Sequence, residues 1–288
     1  MFWVSAVVVA TVTTLILIGI LPGRRRRRPD SPGTPRWTGR MILVGGLVVP
    51  LVVLGVLWTI TLADMSALSQ PTRSTPLRVQ VIGHQWWWEV RYPREGIVTA
   101  NDIHIPAGRP VEVELTTDDV IHSFWVPQLT GKTDLVSGRI NRMRIQADMP
   151  GIYRGQCAEY CGLQHANMIF YVVADRPARF QNWVSVERQD AATPTDSLAQ
   201  QGERTLLSSA CVGCHTVRGT QASGRVGPDL THFGSRVSIG AGTLNNSPEN
   251  LLAWITDSQV FKPGNLMPPM PLSPDELEAI VAYLEGLK

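Results

Sequence analysis

Two long apolar runs without charged residues lie near the start of the chain, at residues 2–21 and 41–62. Each run is about 20 residues long, which is the length that an α-helix needs to cross the ~30 Å hydrocarbon core of a bilayer. No comparable run follows Asp64. The pattern therefore predicts a transmembrane helical hairpin over residues 1–65, with helices at about 2–21 and 41–62, and a soluble remainder.

The loop between the two runs, residues 22–40, carries a strong positive charge. Arg24 to Arg28 are five consecutive arginines, and Asp30 is the only acid of the loop. Positively charged loops stay in the cytoplasm, which places the chain after residue 62 on the outer face of the membrane. An arginine block can also bind nucleic acid or direct localisation, but its position between two apolar runs favours a topology signal and no nucleic-acid partner. Because the charge follows the first run, a retained helix is favoured over a cleaved signal peptide.

Short strand-like segments replace the long apolar runs from Leu77 onward. Residues 111–115 and 142–147 alternate apolar with polar positions, as half-buried strands do. Glycine and proline separate the segments. The pattern predicts a small antiparallel β-sandwich or barrel over residues 77–175. The predicted strands are 77–82, 87–92, 102–105, 111–115, 142–147 and 169–173.

The strand pattern ends after residue 175. Residues 176–198 are predicted to be a linker, because their second half is small and polar and has little to bury. Residues 199–288 are predicted to form a helical domain, in which Ser247 and Ser273 precede helices as N-caps. The soluble part therefore consists of a β-domain, a linker and a helical domain.

Four side chains that bind soft metals lie within twelve residues: Cys157, Cys161, His165 and Met168. Thiolates select copper, zinc or iron–sulfur clusters, and a thioether is a typical axial ligand of copper electron-transfer sites. Zinc leaves Met168 unexplained, and a disulfide leaves both His165 and Met168 unexplained. The motif therefore favours copper over these two alternatives. One ligand must come from elsewhere, and His122, at the end of a strand-like run, is the first candidate.

The other two cysteines, Cys211 and Cys214, precede His215 in a C-x-x-C-H motif, which is typical of covalent haem c attachment. The cysteines would form thioethers to the haem, and His215 would be the proximal iron ligand. A zinc site is disfavoured, because no second cysteine pair remains to complete it. Methionine as the second axial ligand raises the haem potential, as suits an electron carrier, and Met267 and Met270 are both candidates.

Several segments resemble subunit II of the haem-copper cytochrome c oxidases. They are the apolar hairpin, the tryptophan-rich run 83–92, the segments 122–127 and 131–139, and the loop 157–168. The region after residue 199 resembles a bacterial cytochrome c, so the whole chain resembles a cytochrome-c-fused subunit II. The resemblance implies a multi-domain protein with an N-terminal two-helix transmembrane hairpin, an all-β cupredoxin sandwich or barrel, and a C-terminal all-α class I cytochrome c domain.

The resemblance also implies a binuclear copper centre, CuA, in the cupredoxin domain. In that centre, Cys157 and Cys161 would bridge both coppers. The other implied ligands are His122 and Met168 on one copper, and His165 with the main-chain carbonyl of Glu159 on the second.

Three further roles follow from the resemblance. The Glu159 carboxylate is implied to reach a magnesium ion shared with subunit I. Trp86 matches the tryptophan through which electrons reach CuA in this family. Met267 is favoured over Met270 as the axial haem ligand, because it precedes Ser273 by the spacing found in short bacterial cytochromes c.

The function implied by the resemblance is a one-electron relay in the bacterial cell membrane. A cytochrome c donor would reduce the haem, and CuA would pass the electron to the haem of subunit I, where oxygen is reduced and protons are translocated. The implied partners are subunit I, subunit III, the donor and the lipid bilayer, and this chain would carry no oxygen-reducing site. The alternatives are a CuA and haem c subunit of a nitric oxide reductase, and a copper carrier for oxidase assembly. Copper binding would exclude a quinol oxidase subunit, since those lack the ligand set.

Overall fold

The computed structural model describes residues 2–23, 36–68 and 77–288. The arginine block at 24–28 lies outside these ranges. Contacts within the chain define two compact units, Met1–Thr72 and Arg73–Lys288. Each unit is described by itself.

The N-terminal unit consists of helices over both predicted apolar runs. Its elements are α1 (Phe2–Gly23), α2 (Arg36–Leu43), a π-helical turn (Val44–Val48) and α3 (Val49–Leu68). The π-turn lies directly before Pro50, which has no N–H to donate and whose ring clashes with the carbonyl four residues earlier. Within the described ranges, one segment, Gly39–Met65, is long and apolar enough to span a membrane, and α1 adds a shorter apolar stretch at Ser5–Ile18.

Ten strands follow, in two sheets with the orders β3-β2-β1-β5-β8 and β4-β10-β9-β6-β7. The predicted sandwich is confirmed and most of its pairings are antiparallel, but the prediction is wrong for two of them, β1 with β5 and β10 with β4, which are parallel. The parallel pairs arise because the chain crosses between the sheets instead of returning by a hairpin. The strands are β1 (Leu77–His84), β2 (Trp87–Tyr92), β3 (Ile97–Ala100), β4 (Asp102–Pro106), β5 (Val111–Thr117), β6 (His122–Trp125), β7 (Thr133–Leu135), β8 (Asn141–Ile145), β9 (Gly151–Cys157) and β10 (Ile169–Asp175).

The core of the sandwich is aromatic at the end where β6, β9 and β10 meet. Trp88 packs edge-on against Phe124 and Phe170, with ring centroids 6.1 and 4.9 Å away. Gly155 makes room for this cluster, because a Cβ atom at that position would lie 2.2 Å from the Phe170 ring. The packed rings give the strands that approach the cysteine loop a rigid base.

The first half of the predicted linker is a helix, α4 (Pro177–Glu187), which packs on the sandwich. Phe180 and Val184 belong to the sandwich core, and Trp183 stacks on His104 at 4.4 Å. These three residues recur at the spacing of one helical face. Helix α4 therefore extends the β-domain towards the helical domain.

The C-terminal domain is helical, with one short hairpin. The predicted N-caps are present: the Ser247 hydroxyl accepts from the Asn250 N–H, and Ser273 forms a capping box with Glu276. Its first and last long helices cross at Gly202, where a Cβ atom would lie 1.9 Å from the carbonyl oxygen of Ala279. The elements are α5 (Ser197–Ser208), α6 (Cys211–Cys214), β11 (Ser238–Ile239), β12 (Leu244–Asn245), α7 (Pro248–Thr256), α8 (Ser258–Phe261) and α9 (Pro274–Gly286).

Candidate metal centre and haem pocket

The residues predicted to bind copper meet at one end of the sandwich. His122 begins β6, Cys157 ends β9, and Met168 directly precedes β10. The N–H of Cys157 donates to the carbonyl of Met168 at 2.9 Å, which closes the loop that carries Cys161. All four side chains are buried. Sheet hydrogen bonds therefore fix both ends of the loop.

The two thiols lie 3.8 Å apart between their Sγ atoms, and both are free. On one side, Cys157 Sγ is 3.8 Å from His122 Nδ1 and 3.2 Å from the main-chain carbonyl oxygen of Glu159. Soft sulfur, imidazole nitrogen and a carbonyl oxygen thus surround one small volume. His122 and the Glu159 carbonyl, which the resemblance assigned to different coppers, therefore both lie beside Cys157 Sγ.

Cys161 completes the cluster on the other side. Its Sγ atom lies 3.6 Å from His165 Nδ1 and 3.7 Å from Met168 Sδ. A hydrogen bond between the thiols lowers the pKa of Cys157 and raises that of Cys161. Metal binding would require both sulfurs as thiolates.

Asp119 also orients the copper residues, although the sequence analysis did not identify it. Its Oδ1 atom lies 2.8 Å from His122 Nε2, which leaves Nδ1 of that ring facing Cys157. Burial lowers the pKa of His122, but the bonds to Asp119 and Cys157 outweigh burial and raise it. The N–H of Gln85 in turn donates to Asp119 Oδ2 at 2.6 Å. An acid three residues before the histidine was the available signal, since carboxylates commonly orient metal-binding imidazoles.

Glu159 contributes different groups to two environments. Its carbonyl faces Cys157, whereas its carboxylate is about half exposed and lies 3.5 Å from the Lys132 ammonium. The carboxylate therefore points away from the sulfurs. A magnesium site at this carboxylate stays a prediction.

The second predicted site is a cavity of about 240 Å³, lined mostly by the helical domain and also by β-domain residues that include Trp86. Cys211, Cys214, His215, Met267 and Met270 all line it. Its walls are largely apolar, as a haem requires.

His215 is held in the orientation that an iron ligand needs. Its Nδ1 lies 2.7 Å from the carbonyl oxygen of Pro228, so Nδ1 is the donor and Nε2 is left free. Gly227 permits this approach, because a Cβ atom there would lie 2.7 Å from the imidazole. Burial lowers the pKa of His215, which keeps the ring neutral and able to bind a metal.

Of the two candidate methionines, Met267 has the more firmly held backbone. Its N–H donates to Asn265 Oδ1, and its carbonyl accepts from Ser258 Oγ and Gln259 Nε2, all at 2.8–2.9 Å. Both Met267 and Met270 line the cavity. The anchoring favours Met267 as the axial ligand, and the assignment stays a prediction.

Comparison with known proteins identifies the family. The family model for "Cytochrome C oxidase subunit II, periplasmic domain" matches residues 95–175, and the model for "Cytochrome c" matches residues 199–288. The cytochrome c oxidase subunit 2 of Alkalihalophilus pseudofirmus is 40% identical over 99% of this chain and 85% of its own length. The chain belongs to the cytochrome c oxidase subunit II family. The subunit 2 of Bacillus subtilis is 35% identical over 88% of the chain, and a quinol oxidase subunit 2 of Bacillus cereus is 30% identical over 68%.

Membership of the cytochrome c oxidase subunit II family, together with the cytochrome c domain, implies copper and haem, and the residues present fit both. His122, Cys157 and Cys161 hold donor atoms within 4.8 Å of one another. The chain also carries the thioether that distinguishes a copper site from a zinc site. For the haem, the cavity already holds two cysteines, a neutral histidine with free Nε2 and two methionines at its walls.

Trp86 belongs to both sites of this subunit II. Its indole Nε1 donates to the carbonyl of Cys161 at 2.9 Å, and its ring lines the haem cavity. Trp87 also lines the cavity, but its ring stacks on His84 at 4.5 Å. Trp88 is fully buried in the sandwich core. The three consecutive tryptophans therefore have three different environments.

Proposed function

We propose that this chain is the electron-transfer subunit of a cytochrome c oxidase. It accepts electrons from a cytochrome c donor at a covalent haem c and delivers them through CuA to the haem of subunit I, where oxygen is reduced to water and protons are translocated. The haem would be held by Cys211, Cys214, His215 and Met267. CuA would be held by His122, Cys157, Glu159, Cys161, His165 and Met168.

The observation that carries this proposal is the position of Trp86 between the two sites. One indole touches the haem cavity and donates a hydrogen bond to a copper-loop residue, Cys161. When bound, the haem and the copper pair would each store one electron. The chain itself keeps the two sites apart, connects their walls through Trp86, and buries the sulfurs away from water.

The surroundings of the copper residues suit rapid transfer. His122 and Cys157 lie on sheet strands, and His122 Nε2 donates a hydrogen bond to Asp119 Oδ1. A site whose donors cannot move needs little rearrangement when its charge changes. The strands and the hydrogen bond between His122 and Asp119 are therefore in place before the electron arrives.

The remaining parts of the proposal concern the membrane assembly. The two N-terminal helices would cross the bilayer as a hairpin, with both redox domains on the outer, periplasmic face. Subunit I would contact the copper end of the sandwich and share a magnesium ion at the Glu159 carboxylate, and subunit III would belong to the same complex. The copper ligand set favours a cytochrome c oxidase over a quinol oxidase. A copper carrier would need neither the haem cavity nor the Trp86 contact.

Electron paramagnetic resonance on the full copper-loaded, oxidised chain tests the proposal. We expect the hyperfine pattern of one electron shared equally by two coppers. A single-copper signal, or no copper signal, would contradict the CuA assignment. Photochemical reduction of the haem should then be followed by reduction of copper in the same chain.

A tryptophan pair tests the proposed path. Trp86→Phe keeps a ring but removes the hydrogen bond to Cys161, so we expect slower haem-to-copper transfer with an unchanged copper spectrum. Trp87→Phe is the matched control, since Trp87 also lines the cavity. Equal rates in both variants would exclude Trp86 from the path.

A further inference from the structure

Lys262 is a buried lysine at the contact between the copper domain and the haem domain. Its side chain lies at the end of α8, and the residue is 2% exposed. The ammonium donates to three carbonyl oxygens, those of Trp86 at 2.8 Å, Asn167 at 2.6 Å and Gly240 at 2.7 Å. An ammonium has three N–H groups, so its donor capacity is fully used.

The three acceptors belong to segments with different roles. Trp86 lies between the two sites, Asn167 lies in the copper loop between His165 and Met168, and Gly240 lies in the haem domain. Lys262 itself precedes the loop that carries Met267. One charged group therefore connects the bridging tryptophan, the copper loop and two segments of the haem domain.

Burying the Lys262 ammonium costs free energy, because the charged group loses its contacts with water. Across the described residues, no carboxylate lies within ion-pair distance of its ammonium, so carbonyl oxygens alone replace the lost water. Burial lowers the pKa of Lys262 to about 7. An apolar residue would avoid this cost, but it would take the ammonium donor away from the carbonyl oxygens of Trp86 and Asn167, whereas that of Gly240 also accepts from the Thr243 hydroxyl.

Neighbouring contacts show that the two domains are held in one arrangement around this lysine. The N–H of Ile169 donates to the carbonyl of Ala241 at 2.9 Å. The Gln164 amide donates to the carbonyl of Pro263 at 2.8 Å. The first contact joins the start of β10 to the segment that contains Gly240, and the second joins the copper loop to the residue that follows Lys262. Lys262 therefore lies at the centre of the junction.

We infer that Lys262 is a positioning residue for electron transfer: its three hydrogen bonds hold the haem domain against Trp86 and the copper loop in the arrangement that permits transfer. The inference rests on the proposed function. Charge-assisted hydrogen bonds are among the strongest that a protein makes. Without the ammonium, the junction would spend less time closed, while each redox site would keep its own ligands.

The first test compares two lysine variants of the full, haem- and copper-loaded chain. Lys262→Met has a similar length but no donor, and Lys288→Met removes an exposed lysine as the control. We expect Lys262→Met to lower the haem-to-copper rate constant by about tenfold or more, because losing charge-assisted bonds shifts a closed–open equilibrium by that amount. The optical and paramagnetic resonance spectra of both sites should be unchanged, because Lys262 is not among the predicted ligands of either site. Lys262→Arg, which retains donors, should transfer faster than Lys262→Met.

The magnetic coupling between the sites gives a readout of geometry. In the fully oxidised chain, the haem iron should shorten the relaxation time of the copper signal, and Lys262→Met should weaken this effect. An unchanged rate and unchanged relaxation in Lys262→Met would overturn the inference. By contrast, a missing two-copper signal in the unmodified chain would overturn the proposed function itself.

A second measurement needs no variant. Amine-specific acetylation of the native chain, followed by mass spectrometry, compares Lys262 with the other lysines, Lys132 and Lys288. We expect Lys132 and Lys288 to react and Lys262 to remain unmodified until the chain is denatured. Labelling of Lys262 as fast as Lys132 would show an open junction and contradict the inference, even if Lys262→Met does not accumulate.

Discussion

Of the predicted copper ligands, His122, Cys157 and Met168 lie at or next to the ends of sheet strands and are buried, whereas the predicted haem ligands surround a cavity of about 240 Å³. His122 and Cys157 are placed by strand register. Cys211, Cys214 and His215 are each partly exposed, at the wall of the cavity. The haem domain also has a hydrophobic core of its own, which includes Leu206, Ile280 and Tyr283, so the two regions differ in the space around their predicted ligands.

The difference follows from the size of the two groups. A metal ion is small, so a protein can position its donors by ordinary packing and leave no large void. A haem is as large as several side chains, so a fold that accommodates it needs a larger space between its donors. The two regions should therefore respond differently to cofactor loss, to overpacking and to changes in hydrogen bonding.

Loss of haem attachment should have the largest effect. In Cys211→Ala/Cys214→Ala, we expect the haem domain to lose about 4 kcal/mol of stability, as for loss of a large buried aromatic side chain, because the largely apolar cavity walls lose the group that they would contact. Hydrogen exchange should become fast in α5 and α9. Removal of copper by a chelator should leave exchange in β1 and β5 slow. Equal loss of amide protection in both domains would show that the two domains depend on their cofactors to the same extent.

Overpacking the helix crossing of the haem domain should come next. A Cβ atom in Gly202→Ala would lie 1.9 Å from the backbone oxygen of Ala279, which cannot move aside as a side chain could. We expect destabilisation of about 3 kcal/mol in thermal or denaturant unfolding. Gly286→Ala is the control, since a Cβ atom at this position of α9 has no neighbour within 4 Å. Equal midpoints for both variants would show that the helices are not closely packed in solution.

The junction between the regions should depend on pH through Asp102. Its Oδ2 accepts from the N–H of Val237 in the haem domain at 2.7 Å, and burial raises its pKa to about 6. Arg236 and His104 oppose this shift, and Glu187 adds to it. Because the folded pKa exceeds the unfolded value of ~3.9, burial of the ionised carboxylate lowers the free energy of unfolding. This loss of stability is absent below about pH 4, grows as the pH rises, and is complete above about pH 6.

Asp102→Asn should remove that cost. We expect the variant to be more stable than the unmodified chain by about 3 kcal/mol at pH 8 and little different at pH 4. Denaturant unfolding at both pH values is the measurement. A gain of equal size at both pH values would show that ionisation of Asp102 is not its cause.

The smallest expected effect concerns the copper site. Asp119→Asn weakens the hydrogen bond to His122 Nε2 but keeps the shape of the side chain. We expect a loss of about tenfold in copper affinity, the lower end of the range for such orienting partners. Competition with a copper chelator measures this. Asp118→Asn, at the adjacent exposed position, should bind copper as the unmodified chain does.

Local structure was largely predictable from sequence. The strands at 77–82 and 111–115 and the caps Ser247 and Ser273 follow from patterns that extend over a few residues, and the structure confirms them. Such features depend on periodicity and capping chemistry alone. Helix α4 was missed because polar residues around Phe180 and Val184 conceal a narrow apolar face.

Contacts between distant residues could not be predicted in the same way. Asp102 and Val237 are far apart in the chain, as are Lys262 and Trp86, and no local pattern links them. The parallel pairing of β1 with β5 likewise depends on how the chain crosses between sheets. These features arise from packing of whole elements, which sequence periodicity does not describe.

The crossing of α5 with α9 has a consequence for the order of events during synthesis. Cys211 and His215 follow α5 directly, whereas α9 begins about sixty residues later. Until α9 is made, Gly202 has no helix to meet, so the close crossing of the two helices cannot form. Under the proposed function, a haem would therefore meet the two thiols before the helical domain closes.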